Sequence, residues 1–407
     1  MIDSIVAVNH EGGKMVIRGK LPGTSQAWNI TVEKGVISRI DSGGGGKEAD
    51  FGGDDLYVCG GFFDPQVNGY GGVDFNGRNL TGDDLARASR ALAAAGVTRF
   101  LPTLTTAPRE RMAANLRILA RAAEEDFLFG KMCLGVHLEG PYISPEEGFR
   151  GAHPREFVRP PDRQEMEEFQ DACRGRIRLV SLAPETEGAI SFIEWAVSRG
   201  WAVGLAHTNA PEETLEDAFR AGARLSCHLG NGAKALLPRH RNPIQKQLSM
   251  DGLMASIIAD GIHLPDYVVR NFIRAKGTER ILLTTDSMAG AGAPPGTYTM
   301  GDLEAEISPD RGSARLPGTP YLAGSVLTMD QAVTRVMKFA GIDLSTAVRM
   351  AGENAGKLFP QIRAEIKVGS PANLILFDSR EEVTVLATWI HGERIWAQKE
   401  VAPEAQG

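Results

Sequence analysis

The sequence has only four cysteines in 407 residues, Cys59, Cys133, Cys173 and Cys227, far apart and without a C-x-x-C pair. That scarcity argues against both a disulfide framework and a cysteine zinc knuckle. Positive charge is also in short supply: 44 Lys and Arg stand against 51 Asp and Glu, a formal net charge of -7. A general electrostatic footprint for nucleic acid or an anionic membrane surface is therefore missing. No apolar run reaches the ~18 residues a bilayer span needs, and Met1-Ile2-Asp3-Ser4 does not begin a secretory signal pattern. The expectation is a cytoplasmic chain with reduced thiols and neither nucleic-acid nor membrane partners. Glycines 43–46 and 69–72 lack the G-x-x-x-x-G-K-[ST] form, and neither run opens a helix after a strand as a dinucleotide fingerprint requires. What is present is an ordinary globular composition, 43% hydrophobic and 23% charged. The length suits two or three domains, or one large α/β barrel with an attachment.

Both ends of the chain read as short strands. Trp28, Ile30 and Val32 alternate with polar residues, Lys34-Gly35 can turn, and 36–40 returns. Near the other end, 372–377, 383–389 and 394–396 have the same character, with His391-Gly392-Glu393 at a turn. Between the ends, apolar runs at 62–67, 97–103, 134–138, 177–182, 201–205, 224–228, 254–258 and 281–285 alternate with helical patterns. Those patterns include 83–95 behind a Thr81-x-x-Asp84 capping box and 211–221 with Gly222 just past its end. The sixth connection, with Pro238, Pro243 and Gly252, is the least regular, and helices over 328–340 and 345–358 lead back to the terminal strands. Eight βα units over about 300 residues imply an α/β fold, a (β/α)8 TIM-like barrel over 59–366. Residues 1–58 and 367–407 would make a small β-sandwich domain from both termini.

In such a barrel the C-terminal strand ends converge on one mouth. Strand one ends in Gln66-Val67-Asn68, strand three in His137-Leu138-Glu139, strand five in His207-Thr208-Asn209, strand six in His228, strand seven in Asp260-Gly261-Ile262-His263, and strand eight in Asp286. A catalytic zinc takes three N or O ligands and keeps one position open, a requirement that Glu139, His207 and His228 meet. Asp286 is placed to accept a proton from water and deliver it to a leaving amine, the logic of metal-assisted amide hydrolysis.

These motifs resemble the amidohydrolase superfamily and, within it, the N-acetylglucosamine-6-phosphate deacetylases. The resemblance rests on residues 60–69, 137–141, 206–210, 258–263, Thr285-Asp286 with Ala289-Gly290-Ala291, and 322–329. It implies hydrolysis of the acetamide of an amino-sugar 6-phosphate by one divalent metal per subunit, Zn2+ first, with Fe2+, Co2+ or Mn2+ also suited. Most superfamily members carry H-x-H after strand one; here Gln66 and Asn68 take those positions and are expected near the metal without ligating it firmly. The resemblance further implies substrate contacts from His263, Ala152, His153 and Leu322-Ala323-Gly324, and a phosphate site at the backbone of Asn231 and Gly232. An arginine from a neighbouring subunit, Arg241 with Arg239 as competitor, would complete that site and require a homodimer. One departure stands out. Where these deacetylases carry a short Asn-Ala-Met segment, this chain reads His228-Leu229-Gly230-Asn231-Gly232-Ala233-Lys234 and continues into a longer loop with Arg239, His240 and Arg241. Other amide substrates, such as N-acetylgalactosamine 6-phosphate, another N-acyl sugar, an N-acyl amino acid or a cyclic amide, therefore remain open, as does a sugar-phosphate-binding barrel without turnover.

Overall fold

The computed structural model describes residues 13–42, 49–308, 312–318, 322–362 and 364–398. The glycine break at 43–46 lies outside them. The eight apolar runs form eight parallel strands in one sheet: Phe62–Val67, Val97–Thr105, Val136–Glu139, Ile177–Leu182, Ala202–Leu205, Leu225–Ser226, Met254–Ile257 and Ile281–Leu283. They are called barrel strands one to eight below. Strand six is far shorter than its apolar run because the backbone turns to positive φ at His228.

Strands eight and one share no ladder, and the barrel closes through polar links at their ends. Ser287 bridges Val67, the Asn68 N–H donates to the Ser287 carbonyl at 2.9 Å, and the Asp64 carboxylate accepts from Thr284 and Thr285. The lower barrel is filled by Phe63, Leu101, Leu179, Leu225, Met254 and Leu282, packed with Phe359 and Ile362 from the chain leaving the barrel. Apolar filling below leaves the polar strand ends at the opposite mouth.

The helices follow their local signals. Gly82–Ala94 starts at a capping box in which Thr81 and Asp84 bond each other's backbone N–H, and Glu212–Ala221 stops at Gly222, φ 117°. The helix expected over 345–358 is broken into Leu344–Met350 and a 3-10 turn at Glu353–Lys357. The break falls at Gly352, where an added Cβ would approach the Ala364 Cβ to 3.1 Å. After strand eight the chain inserts an antiparallel ribbon, Gly296–Met300 and Leu303–Ile307 with Ala314–Arg315, whose tip reaches the barrel mouth.

The terminal strands pair as one seven-stranded sheet: Met15–Lys20, Ala27–Glu33, Val36–Asp41 and Phe51–Gly60 join Leu374–Asp378, Thr384–Ile390 and Glu393–Ala397. Lys34-Gly35 and His391-Gly392 supply the turns, all four at positive φ as tight hairpins demand. The sheet folds over itself. Phe51–Gly60 pairs with Met15–Lys20 at one end and Leu374–Asp378 at the other, and edge residue Ile37 exchanges backbone bonds with Gly369 and Ser370. The sandwich-like layers therefore come from one bent sheet around Ile17, Ile30, Leu376 and Trp389. Phe51–Gly60 runs straight through Gly61 into barrel strand one.

Candidate active site

A cleft of about 970 Å3 opens at the C-terminal mouth of the barrel. On its floor, Glu139 Oε1 lies 2.6 Å from His228 Nε2 and 3.4 Å from His207 Nε2. The three residues offer one ligand atom each, all within 4.8 Å of one another. Phe149's carbonyl accepts from His207 Nδ1 at 2.8 Å, which orients the ring so that Nε2 faces Glu139. Burial, the largest influence on Glu139, opposes its ionisation, but hydrogen bonds and charge from His207 and His228 outweigh it and hold the carboxyl well below its usual range. Burial likewise opposes protonation of His228, yet Glu139 pushes it up to about 9. An anionic oxygen gathered deep in the protein against two imidazole nitrogens is a donor set that fits a divalent cation.

The backbone around these groups is unusual. His207, His228 and Asp286 all adopt positive φ, at 49°, 30° and 48°. Such conformations cost on the order of 1–3 kcal/mol each and survive only where surrounding contacts over-determine them. Two glycines press against the His207 ring: an added Cβ would lie 2.6 Å from Nδ1 at Gly232 and 3.0 Å from Cε1 at Gly151. Gly232→Ala, also strained by its φ of 63°, is expected to tilt His207 and weaken metal retention by about 10–100-fold, as loss of an outer-shell support does. Metal content after dialysis checks this; full retention would mean that the ring can move aside without loss.

Asp286 faces the same cleft from the end of strand eight. Gln66 Nε2 and Asn68 Nδ2 both donate to its Oδ1, at 2.9 and 2.7 Å, leaving Oδ2 for other work. Burial raises its pKa, and the Glu139 charge adds to the rise. The amides that replace the H-x-H pair thus both bond the carboxylate.

The remaining expected site residues divide. His263 lines the cleft with Nδ1 2.6 Å from Asp260 Oδ2, while Asp260 Oδ1 accepts from the backbone N–H of Ile262 and His263. The D-G-I-H spacing carries that signal, although sequence reasoning assigned Asp260 no role. His153 is buried against the centre, Nδ1 2.8 Å from Thr106 Oγ1, and burial pushes it down to about 3, keeping it neutral. Ala152, Gly232, Leu322 and Gly324 line the cleft; Ala323 instead packs beneath the inserted ribbon with Met288, Ala305 and Ile307.

One expectation needs correction. The Asn231 N–H is not free for a phosphate, since it donates to the His228 carbonyl at 2.9 Å and holds that turn. Arg239 and Arg241, expected to serve a neighbouring subunit, are exposed on the outer loop and do not line the cleft of their own chain. The cation from that loop lining the cleft is Lys234, paired with Glu146 at 3.0 Å. His137, another strand-end histidine, lies inside the barrel on Ser181 and Thr103, a structural position.

Comparison with known proteins extends the geometry. A family model described as the amidohydrolase family matches residues 57–395. N-acetylglucosamine-6-phosphate deacetylase of Bacillus subtilis is 31% identical over 352 residues, covering 85% of this chain and 86% of the relative. The Bos taurus protein of the same name is 34% identical over 360 residues, 84% of each. Among solved structures, an aspartate-to-alanine mutant of the Mycobacterium smegmatis N-acetyl-D-glucosamine-6-phosphate deacetylase, in complex with N-acetyl-D-glucosamine-6-phosphate, superposes with a TM-score of 0.86 at 29% identity. That likeness covers 94% of this chain and all of that one.

Proposed function

The chain belongs to the amidohydrolase family, and from that premise we propose that it hydrolyses the acetamide of N-acetylglucosamine 6-phosphate to glucosamine 6-phosphate and acetate. The observation that carries the reading is the convergence in one cleft of the Glu139–His207–His228 donor set and the free oxygen of Asp286. Glu139 Oε1, His207 Nε2 and His228 Nε2 would hold one divalent ion, Zn2+ first, with Fe2+, Co2+ and Mn2+ suited to the same N/O set. When bound, such an ion supplies Lewis acidity to an amide carbonyl and to water. Asp286 Oδ2 takes the proton from the attacking water and returns it to the sugar nitrogen as the C–N bond breaks, so that the amine leaves neutral and the acyl carbon leaves as acetic acid, which gives its proton to solvent to become acetate. Gln66 and Asn68, by occupying Oδ1, fix which oxygen does this.

His263, held by Asp260, orients the sugar, with Ala152, His153, Leu322 and Gly324 completing the walls. For the phosphate, the Gly232 N–H and Lys234 are the groups within one chain. Arg241 or Arg239 would enter only from a second copy, so a homodimer is part of the proposal, as are a cytoplasmic site of action and the division into a barrel over 59–366 and a terminal domain.

The test is acetate release by zinc-loaded protein from N-acetylglucosamine 6-phosphate, beside the unphosphorylated sugar, the galacto epimer and a chelated control. Chelator-sensitive release that prefers the phosphorylated gluco sugar is expected. Equal rates with and without phosphate would remove the anion pocket from the proposal, and release from none of the three would remove the substrate.

A further inference from the structure

Asp64 and Gln66 lie in barrel strand one, and Asn68 follows its last residue, Val67. Gln66 and Asn68 reach Asp286 directly. Asp64 has no contact with it, yet its side chain has no exposure and all its hydrogen-bond donors are neutral. Oδ1 accepts from Thr284 Oγ1 at 3.0 Å, the Thr285 N–H at 3.2 Å and the Gln66 N–H at 3.3 Å, while Oδ2 accepts from Thr285 Oγ1 at 2.5 Å. Burial pushes this carboxyl up to about 6. A carboxylate placed here without a cation is an expensive way to join two strands, since a hydroxyl or amide would bury less charge.

The chain of bonds beyond Asp64 shows what the carboxylate does. Thr285 Oγ1, having given its hydrogen to Asp64, accepts the N–H of Ser287 at 3.2 Å. Asp286 lies between those two residues, and its own carbonyl accepts from the Ser325 N–H at 2.9 Å. The strained turn at Asp286 is thus gripped on both flanks by one directional relay, from the Ser287 N–H to Thr285 Oγ1 and from Thr285 Oγ1 to Asp64 Oδ2. Direction matters. An amide at position 64 that turned its nitrogen toward Thr285 would give Oγ1 two donors and leave the threonine hydrogen without an acceptor in the interior.

We infer that Asp64 is a positioning residue for the hydrolysis, acting through Thr285 to hold the Asp286 carboxylate at the metal centre, an inference that rests on the proposed role of Asp286. Asp64→Asn, nearly isosteric, is expected to lower kcat about 10²-fold, the cost of a misplacement on the order of 1 Å. KM should stay within about twofold and metal content should not change, because no ligand and no cleft-lining residue is touched. Thr285→Val should reproduce the loss from the other end of the relay, Thr285→Ser should keep wild-type kcat, and the double variant should be no worse than the poorer single one. If Asp64→Asn does not fold, Thr285→Val against Thr285→Ser carries the test alone.

An unchanged kcat in Asp64→Asn or Thr285→Val, with or without a lower Tm, would make the relay mere barrel closure and overturn the inference. So would loss of the metal. Crystal structures of wild type and variant give a reading independent of substrate: the Asp286 carboxylate should be displaced, and an unmoved carboxylate overturns the inference. Absence of acetate release by the wild type would instead overturn the proposed substrate, so the two failures are distinguishable.

Discussion

Replacing Asp286 with Asn is expected to lower kcat for N-acetylglucosamine 6-phosphate toward the upper end of the 10²–10⁴-fold range typical of a lost general acid–base. Asparagine keeps an Oδ1 that can still accept from Gln66 and Asn68, so the side chain stays where those two amides hold it. What it loses is the basicity of Oδ2. In the proposed mechanism one group serves both proton transfers, from water and then to nitrogen, and the variant would therefore fail at each. The residue lies outside the Glu139–His207–His228 cluster, so metal content should remain at the wild-type level and KM should move little. Steady-state kinetics with metal analysis decides among three results. A slow, metal-replete variant supports the assignment, a metal-depleted one would make Asp286 a ligand, and undiminished turnover would remove it from the chemistry.

The second large effect is expected at Glu139. Its Oε1 is the shared partner of both imidazoles and the only anionic oxygen in the ligand cluster. Glu139→Gln preserves shape but replaces a carboxylate with a neutral amide, a poor ligand beside imidazole. Affinity should fall by more than the 10–100-fold that removal of an outer-shell partner costs, so that dialysis strips the ion and acetate release disappears with it. Excess Zn2+ in the assay should restore part of the rate. Retention of metal through dialysis would show that the ion is held elsewhere. The variant should remain folded, because His228 can shed its proton once the carboxylate that raised its pKa is gone.

How much of this was legible beforehand depended on whether each feature is a local property of the chain. Eight barrel strands could be counted because each is a short apolar run between turn and helix signals, and the capping box at Thr81 worked because its partners are three residues apart. The convergence of Glu139, His207 and His228 was legible too, as three ligand-type residues at strand ends of a fold that gathers such ends. Barrel closure was not, since nothing in the local pattern at Asp64 points to Thr284 and Thr285, about 220 positions away. Nor could sequence reveal that the Asn231 N–H is spent on the carbonyl of His228, because backbone hydrogens look alike in every sequence. The inserted ribbon was missed although a signal existed: Gly301-Asp302 stands between two runs of alternating character, and Gly301 takes the positive φ of a turn.

The bent terminal sheet bears on the order in which the molecule is made. Phe51–Gly60 finds one neighbour at once, in Met15–Lys20, but its other neighbour, Leu374–Asp378, lies about 300 positions downstream. On the ribosome the first sheet fragment therefore waits with an open edge while the barrel is synthesised, and such edges invite pairing with other chains. Because the waiting strand leads through Gly61 directly into the strand that bears Gln66 and ends just before Asn68, the active site gains its final support only when the last strands arrive. Refolding of the full chain is accordingly expected to be slow, with catalytic competence as its last event.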